Sequence, residues 1–246
     1  MVINMKELII DGCSKLGIGI DEKTADKLIS YYNIMIERNN SINLTRITEP
    51  HDVVTKHFLD SLTPLLTGCV GDKVIDVGTG AGFPGLVLKA ARPQMQLTLL
   101  DSLNKRITFL KDAAEAMDIT SGVEFIHSRA EDAGLSNTYR EKYDTAVSRA
   151  VANMRTLSEW CLPLVRVGGY FLALKGPLAQ QELTDALPAI EVLGGEVERV
   201  FSLDIPYTDL NHKIIIVKKV RHTPRIFPRK GKKATEIPVE KAHKMK

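Results

Sequence analysis

The first 66 residues carry apolar side chains at helical spacing. Asp21 precedes one such stretch and suits a helix N-cap. One face of the predicted helix contains Ala25, Leu28, Ile29, Tyr32, Met35 and Ile36. A polar turn at 39–41 follows, and Pro50 suits the first turn of another helix. We therefore predict a helical N-terminal extension over residues 1–70.

From Lys73 onward, short apolar runs alternate with longer helical stretches. The predicted strands lie at 74–77, 97–100, 123–126, 145–147, 170–174, 197–203 and 213–219. The last two strands are joined by a short connection, which favours an antiparallel pair. Strands that alternate with helices indicate an α/β fold whose sheet is mostly parallel. We predict a Rossmann-like core over residues 71–220, with seven strands and an antiparallel last strand.

Composition narrows the class of protein. Hydrophobic residues make up 44% and charged residues 26% of the 246 residues, which is typical of a globular protein. Cys13, Cys69 and Cys161 are far apart, so we expect neither disulfides nor a metal site. We read no secretory signal and no apolar run of the roughly 18 residues that a membrane span needs. The expectation is a cytoplasmic protein, and a monomer as the simplest case.

Positive charge is concentrated at one end of the chain. Residues 218–246 hold eleven Lys and Arg against Glu236 and Glu240, a net charge of +9. Because the whole chain carries +3, the remainder carries −6. This segregation favours a polyanionic partner, whose phosphates such a segment would neutralise. A solvated basic tail without a partner is the alternative. We treat residues 221–246 as a basic C-terminal tail.

A glycine-rich turn follows the first predicted strand. Gly78, Gly80 and Gly82 alternate there and let the backbone approach a ligand closely. Asp76 lies just before them and suits a cofactor with a cationic amino-acid end. Asp101 ends the second strand, where an acid accepts hydrogen bonds from ribose hydroxyls. The loop therefore predicts a nucleotide-type cofactor, most simply S-adenosylmethionine.

Two features bear on the choice of cofactor. Gly80, Gly82 and Gly85 formally match a dinucleotide fingerprint, which leaves a nicotinamide-dependent oxidoreductase as an alternative. This match begins too late after the first strand, however, because the strand is predicted to end at Val77. Pro84 also removes an amide that would face a pyrophosphate. After the third strand, Ala130 and its amide are placed to meet the base of a bound nucleoside.

At the level of motifs, the chain resembles the RsmG family, also called glucose-inhibited division protein B, within the Class I methyltransferases. The resemblance spans nearly the whole chain. The segments that carry it are 43–45, 57–61, 76–85, 148–150, 174–176 and 228–231. The sequence departs from the family pattern after Gly231, where a proline and a further basic residue are expected.

The resemblance implies a function and a set of contacts. It implies methyl transfer from S-adenosylmethionine to N7 of a guanine in the decoding-region loop of bacterial 16S ribosomal RNA. It implies cofactor contacts at Gly78, Phe83, Ala130, Glu131 and Arg149. With the residues that the loop itself suggests, the predicted cofactor set also contains Asp76, Gly80, Gly82 and Asp101. The partner would be 16S rRNA, as the small ribosomal subunit or its assembly intermediate.

The catalytic chemistry needs few residues. Guanine N7 carries a lone pair and no proton, so its methylation requires no general base. Arg149 is the catalytic candidate, since its donors suit guanine O6, a phosphate or the cofactor carboxylate. The candidate RNA contacts are His57, Lys175, Arg225, Arg229, Lys230, Lys232 and Lys233. We interpret the basic tail as an RNA clamp. A non-catalytic RNA-binding module on the same core is the remaining alternative.

Overall fold

The computed structural model describes residues 4–119, 121–209, 211–231, 238–239 and 241. Its α-helices are α1 (Met5–Lys15), α2 (Glu22–Ile42), α3 (Pro50–Val53), α4 (Asp60–Leu62), α5 (Gly85–Ala91), α6 (Asn104–Ala116), α7 (Ala130–Leu135), α8 (Met154–Cys161) and α9 (Ala179–Val192). A π-helical turn (Val54–Leu59) joins α3 to α4, and a 3₁₀ turn (Thr63–Thr67) follows α4. The strands are β1 (Lys73–Val77), β2 (Gln96–Asp101), β3 (Val123–His127), β4 (Tyr143–Arg149), β5 (Val165–Lys175), β6 (Gly195–Asp204) and β7 (Asn211–Lys219).

Within the described residues, seven strands form one sheet in the order β3-β2-β1-β4-β5-β7-β6. The pairs among β1 to β5 are parallel, whereas β7 is antiparallel to both β5 and β6. The predicted mostly parallel sheet with an antiparallel last strand is therefore confirmed. The order reverses between β1 and β4, and a sheet of this kind binds its ligand beyond the strand ends at such a point.

Apolar residues alternate between the two faces of the sheet. Val74 belongs to an apolar cluster with residues of α1, α2, α5 and α6, whereas Ile75 belongs to a cluster with residues of α7, α8 and α9. This alternation follows from the period of two along a strand. It also decides where Asp76 points, because Asp76 shares the face of Val74. In the described part of the chain, no helix is both long and apolar enough to cross a membrane.

The N-terminal helices are packed directly on the glycine turn. Asp21 caps α2 as predicted, since its side chain accepts a hydrogen bond from Thr24 N. The fully buried aromatic residue of this helix is Tyr31, however, and Tyr32 is only half-buried. The Tyr31 hydroxyl donates to the carbonyl of Ala81, inside the glycine turn. The helical extension therefore supports the glycine turn through α2.

The C-terminal segment is anchored to the core as far as Arg229. Phe227 is fully buried, and Arg140 donates to the carbonyls of Thr223 and Phe227 at 2.7 Å each. Arg229 forms a two-pronged ion pair with the buried Glu159, at 2.8 Å from Nε and 2.7 Å from Nη2. The guanidinium of Arg229, a predicted RNA contact, is thus bound to a buried carboxylate in this structure, and its contact with RNA stays a prediction.

The other predicted RNA contacts of the tail differ in where they lie. Lys230 is exposed and forms an ion pair with Asp132 at 2.5 Å. Arg225 is exposed beside residues 135–142, which precede β4, so it lies at the edge of the sheet opposite the carboxyl ends of the parallel strands. The predicted contacts Lys232 and Lys233 lie outside the described residues.

Replacing Arg229 by alanine tests its structural role. The substitution leaves the buried Glu159 carboxylate without this partner, and we expect a loss of about 3–5 kcal/mol in the free energy of unfolding. Urea unfolding of the two proteins measures the difference. Arg225→Ala, in the same segment but exposed, is the matched control, with an expected change within about 0.5 kcal/mol. Equal effects of the two substitutions would contradict the assignment.

Candidate active site

A cavity of about 460 Å³ opens at the carboxyl ends of β1, β2 and β4. We name it the glycine-loop cavity. Its volume lies within the range of small-molecule sites. Seven of the nine predicted cofactor residues line it, namely Gly78, Gly80, Phe83, Asp101, Ala130, Glu131 and Arg149. Asp76 and Gly82 are not among its lining residues, and each has a structural reason.

The three glycines of the turn have different surroundings. All adopt positive φ, between 61° and 99°, which disfavours other residues. A Cβ on Gly80 would meet no atom closer than 3.9 Å, so this glycine borders open space. A Cβ on Gly82 would lie 2.5 Å from the Tyr31 hydroxyl oxygen and 2.9 Å from Leu110 and Leu86. Gly82 therefore packs against the core, and its predicted cofactor contact stays a prediction.

Asp76 lies in β1 itself and is fully buried beneath the glycine turn. Its Oδ2 accepts hydrogen bonds from Thr79 Oγ1 at 2.7 Å and from Gly85 N at 2.9 Å. Burial raises the pKa of this carboxyl to about 6. The structure therefore places Asp76 under the loop as its support, and its predicted contact with a cationic cofactor group stays a prediction.

Asp101 ends β2 and forms one wall of the cavity. Its Oδ2 accepts from Gly80 N at 3.0 Å and from Arg106 Nη1 at 3.3 Å, and its Oδ1 accepts from Leu103 N at 2.9 Å. A carboxylate has about four acceptor positions. One position on Oδ1 is therefore left for a ligand hydroxyl in the cavity.

Arg149 ends β4 and separates this cavity from a second one. Its Nη1 donates to Asp60 Oδ2 at 2.7 Å and to the backbone carbonyl of Lys56 at 3.1 Å. Its Nη2 lies 3.2 Å from His57 Nδ1. The guanidinium carbon lies 5.0 Å from the centre of the Phe83 ring. These contacts fix the guanidinium on three sides.

His57 is held as a neutral ring between its neighbours. It stacks on Phe83 with 4.5 Å between ring centres. Because Nδ1 faces an arginine donor, Nδ1 accepts, and the proton is on Nε2, which donates to Thr45 Oγ1 at 2.9 Å. Burial, and then the charge of Arg149, lower the pKa of His57 to about 4. A ring in this state is a poor general base at neutral pH, and its RNA contact remains a prediction.

The sequence analysis missed the residues that complete this network. Asp60 is buried and accepts from Arg149 on one oxygen and from His212 Nδ1, at 2.5 Å, on the other. Burial alone would raise the pKa of Asp60, but the His212 hydrogen bond and the charge of Arg149 outweigh it and lower this pKa. Asp60 belongs to the 57–61 segment already singled out. His212 carries no local signal, because its partner is 152 residues away.

A second cavity of about 650 Å³ adjoins the first. Four residues border both cavities, namely His57, Arg149, Ala150 and Val151. Lys175 also borders the second cavity. Its side chain is buried, and its Nζ donates at 2.7 Å both to the carbonyl of Ala152 and to Glu182 Oε2. The structure thus brings the predicted RNA contacts His57 and Lys175 to this cavity, and away from Arg225 and Arg229.

The sheet order, the glycine turn and the acid after β2 together define a Class I S-adenosylmethionine-dependent methyltransferase. Two solved structures share the fold. TrmN from Thermus thermophilus has a TM-score of 0.50 and 18% identity, and covers 68% of this chain and 53% of its own. A SAM-dependent O-methyltransferase from Thermotoga maritima has a TM-score of 0.50 and 16% identity, with coverages of 77% and 73%.

The family is shown by sequence. Residues 24–211 match the family described as GidB, rRNA small subunit methyltransferase G. The ribosomal RNA small subunit methyltransferase G of Alkaliphilus oremlandii is 48% identical over 97% of this chain and 100% of its own length. That of Lactobacillus acidophilus is 46% identical, with coverages of 93% and 96%. The chain belongs to this family, its cofactor is S-adenosylmethionine, and the oxidoreductase alternative is set aside.

The glycine turn offers a direct test of cofactor binding. Gly80→Asp places a carboxylate in the open space beside Asp101, and we expect cofactor affinity to fall below detection in a calorimetric titration with S-adenosylmethionine. Asp tolerates positive φ better than most residues, so the fold should persist. Gly68→Asp is the matched control, since Gly68 has φ of 71° and open space outside the cavity. Unchanged affinity in Gly80→Asp would contradict this site.

The lowered pKa of His57 predicts a pH dependence of stability. The unfolded chain takes up this proton near pH 6.5, whereas the folded protein does so only near pH 4. The contribution of His57 to the free energy of unfolding is therefore fully present above pH 6.5, and it is lost as the pH falls towards 4. Between pH 7 and 4.5, the free energy of unfolding measured in urea should fall by about 1–3 kcal/mol more in the wild type than in His57→Gln. Parallel losses in the two proteins would refute the buried neutral ring.

Proposed function

We propose that this protein methylates N7 of a guanine in 16S rRNA, on the small ribosomal subunit or its assembly intermediate, without a general base. Membership of the rRNA small subunit methyltransferase G family supports the RNA class. The choice of N7 as the methylated atom rests on the state of the side chains between the two cavities. Arg149 presents donors there, and His57 is neutral with both ring nitrogens engaged.

The reaction requires no proton acceptor from this chain. When bound, S-adenosylmethionine supplies a methyl group on a sulfonium; the N7 lone pair forms the new N–C bond as the S–C bond breaks, leaving a neutral thioether and a positive charge on the purine. No proton leaves N7, so a site without a competent base is adequate. The residues act by binding, by orientation and by exclusion of water, and orientation alone is worth roughly 7–11 kcal/mol.

The glycine-loop cavity holds the cofactor in this proposal. The open backbone at Gly80 and the free acceptor position on Asp101 suit an adenosine, with a ribose hydroxyl donating to the carboxylate. Ala130 and Glu131, at the start of α7, border the end of the cavity that suits the base. Gly78 and Phe83 then flank the path towards Arg149. The methyl group would reach the boundary with the second cavity.

The second cavity holds the target base. Guanine presents two acceptors, N7 and O6, on one edge, whereas adenine presents N7 beside an amine donor. Arg149 has five N–H donors, and the described residues engage three of them. The remaining donors suit O6 and would be repelled by the adenine amine. Arg149 is therefore the catalytic candidate as the residue that orients N7 towards the methyl group.

Access to N7 requires an unpaired or extruded base. The major groove of A-form RNA is too deep and narrow for side chains, so a loop guanine is the suitable substrate. The segment around Arg229 is anchored to the core through Glu159. Backbone contacts from Lys230 remain a proposal, because its ion pair with Asp132 is exposed and contributes little stability.

Mass spectrometry of rRNA tests the function. Purified wild-type protein and labelled S-adenosylmethionine should convert one guanine of 16S rRNA to N7-methylguanosine, in small subunits from cells that lack the gene. His57→Gln should keep more than a hundredth of the wild-type rate, because general base catalysis is worth about 10²–10⁴. A methyl group on another atom would refute the N7 assignment. A larger loss in His57→Gln would restore a base to the mechanism.

A further inference from the structure

Two carboxylates border the second cavity among the described residues, Asp60 and Glu182. Asp60 is committed on both oxygens, to Arg149 and to His212. Glu182 differs, because both of its hydrogen bonds are made by one oxygen. Its Oε2 accepts from Met154 N at 2.9 Å and from Lys175 Nζ at 2.7 Å. In the described part of the chain, nothing donates to Glu182 Oε1.

The position of Glu182 is fixed by its neighbours. It lies on α9, one turn after the loop that follows β5. The Lys175 ammonium that holds it is itself tied to the carbonyl of Ala152. The Glu182 side chain is 29% exposed, so it is open to the cavity. Fixed carboxylates with one free oxygen are well suited to accept hydrogen bonds from a ligand.

The chemistry of the free oxygen matches one edge of guanine. The Watson–Crick edge of guanine carries two neighbouring donors, the N1–H and the N2 amino group. Adenine carries an acceptor at N1 and no amine at C2, so it offers a carboxylate neither of these donors. A carboxylate oxygen has about two acceptor positions, which is enough for both guanine donors. Arg149 borders the same cavity, and its remaining donors suit the opposite kind of group, O6.

We propose that Glu182 is a specificity-determining residue, whose Oε1 accepts hydrogen bonds from N1–H and the N2 amino group of the target guanine. This inference rests on the proposed function and deepens it. Arg149 and Glu182 then recognise the acceptor and the donors of the same base. A purely structural role for Glu182, holding Lys175 and the start of α8, makes a different prediction.

The test compares guanosine with inosine, which lacks only the N2 amino group. Splinted ligation places either nucleoside at the methylated position of 16S rRNA, and small subunits are reconstituted around it. The kcat/KM of the wild-type protein should be roughly ten- to hundredfold higher for guanosine than for inosine. This ratio corresponds to the free energy of one hydrogen bond to a charged group. In Glu182→Gln the preference should fall below about threefold, because the coupling between residue and amino group is removed.

The controls separate recognition from structure. Glu191→Gln, exposed on the same helix, should keep the wild-type preference. Affinity for S-adenosylmethionine and the urea midpoint show whether Glu182→Gln is folded. A slower Glu182→Gln that keeps the full guanosine preference would overturn the proposal and leave a structural role.

The wild-type protein provides an independent criterion. A guanosine-to-inosine ratio below about two would overturn the proposal even if Glu182→Gln failed to fold. Failure of the underlying function has a separate signature, since the wild type would then form no N7-methylguanosine on the guanosine subunits.

Discussion

The buried ion pair between Arg149 and Asp60 is the interaction on which the site depends. A buried pair is stable only when further hydrogen bonds satisfy both ions. Here Arg149 also donates to the carbonyl of Lys56 and to His57, and Asp60 also accepts from His212. The network joins the N-terminal helices to β4 and β7, and it forms the wall between the two cavities. The same contacts that hold the N-terminal helices in place thus fix the arginine between the two cavities.

Sequence alone predicted the features that arise from local patterns. Short apolar runs indicated the strands, and the short connection between the last two indicated the antiparallel last strand. The turn containing Gly78 and Gly80 was evident because closely spaced glycines after a buried strand have few other uses. Asp101 followed from its position at the end of the next strand. Each of these inferences requires only neighbouring residues and the geometry of a parallel sheet.

The sequence could not show the contacts between residues that are distant along the chain. Asp76 and Gly82 are predicted cofactor residues, and their spacing does not reveal that Asp76 is fully buried or that Gly82 packs against core side chains. Arg229 read as an RNA contact because its charge was visible, whereas Glu159, its partner 70 residues away, was not. His212 had no distinguishing pattern at all. Charge and spacing define candidates, but a buried partner decides whether a basic residue is available to RNA.

A crystal structure of this protein with S-adenosylhomocysteine tests the central claim most directly. The account predicts the adenosine in the glycine-loop cavity, with a ribose hydroxyl on Asp101 and the sulfur facing the wall formed by Arg149. The Arg149–Asp60 pair should be intact, and the second cavity should remain open beyond the sulfur. An adenosine in the second cavity, or a sulfur directed away from Arg149, would contradict the division of the site into cofactor and base compartments.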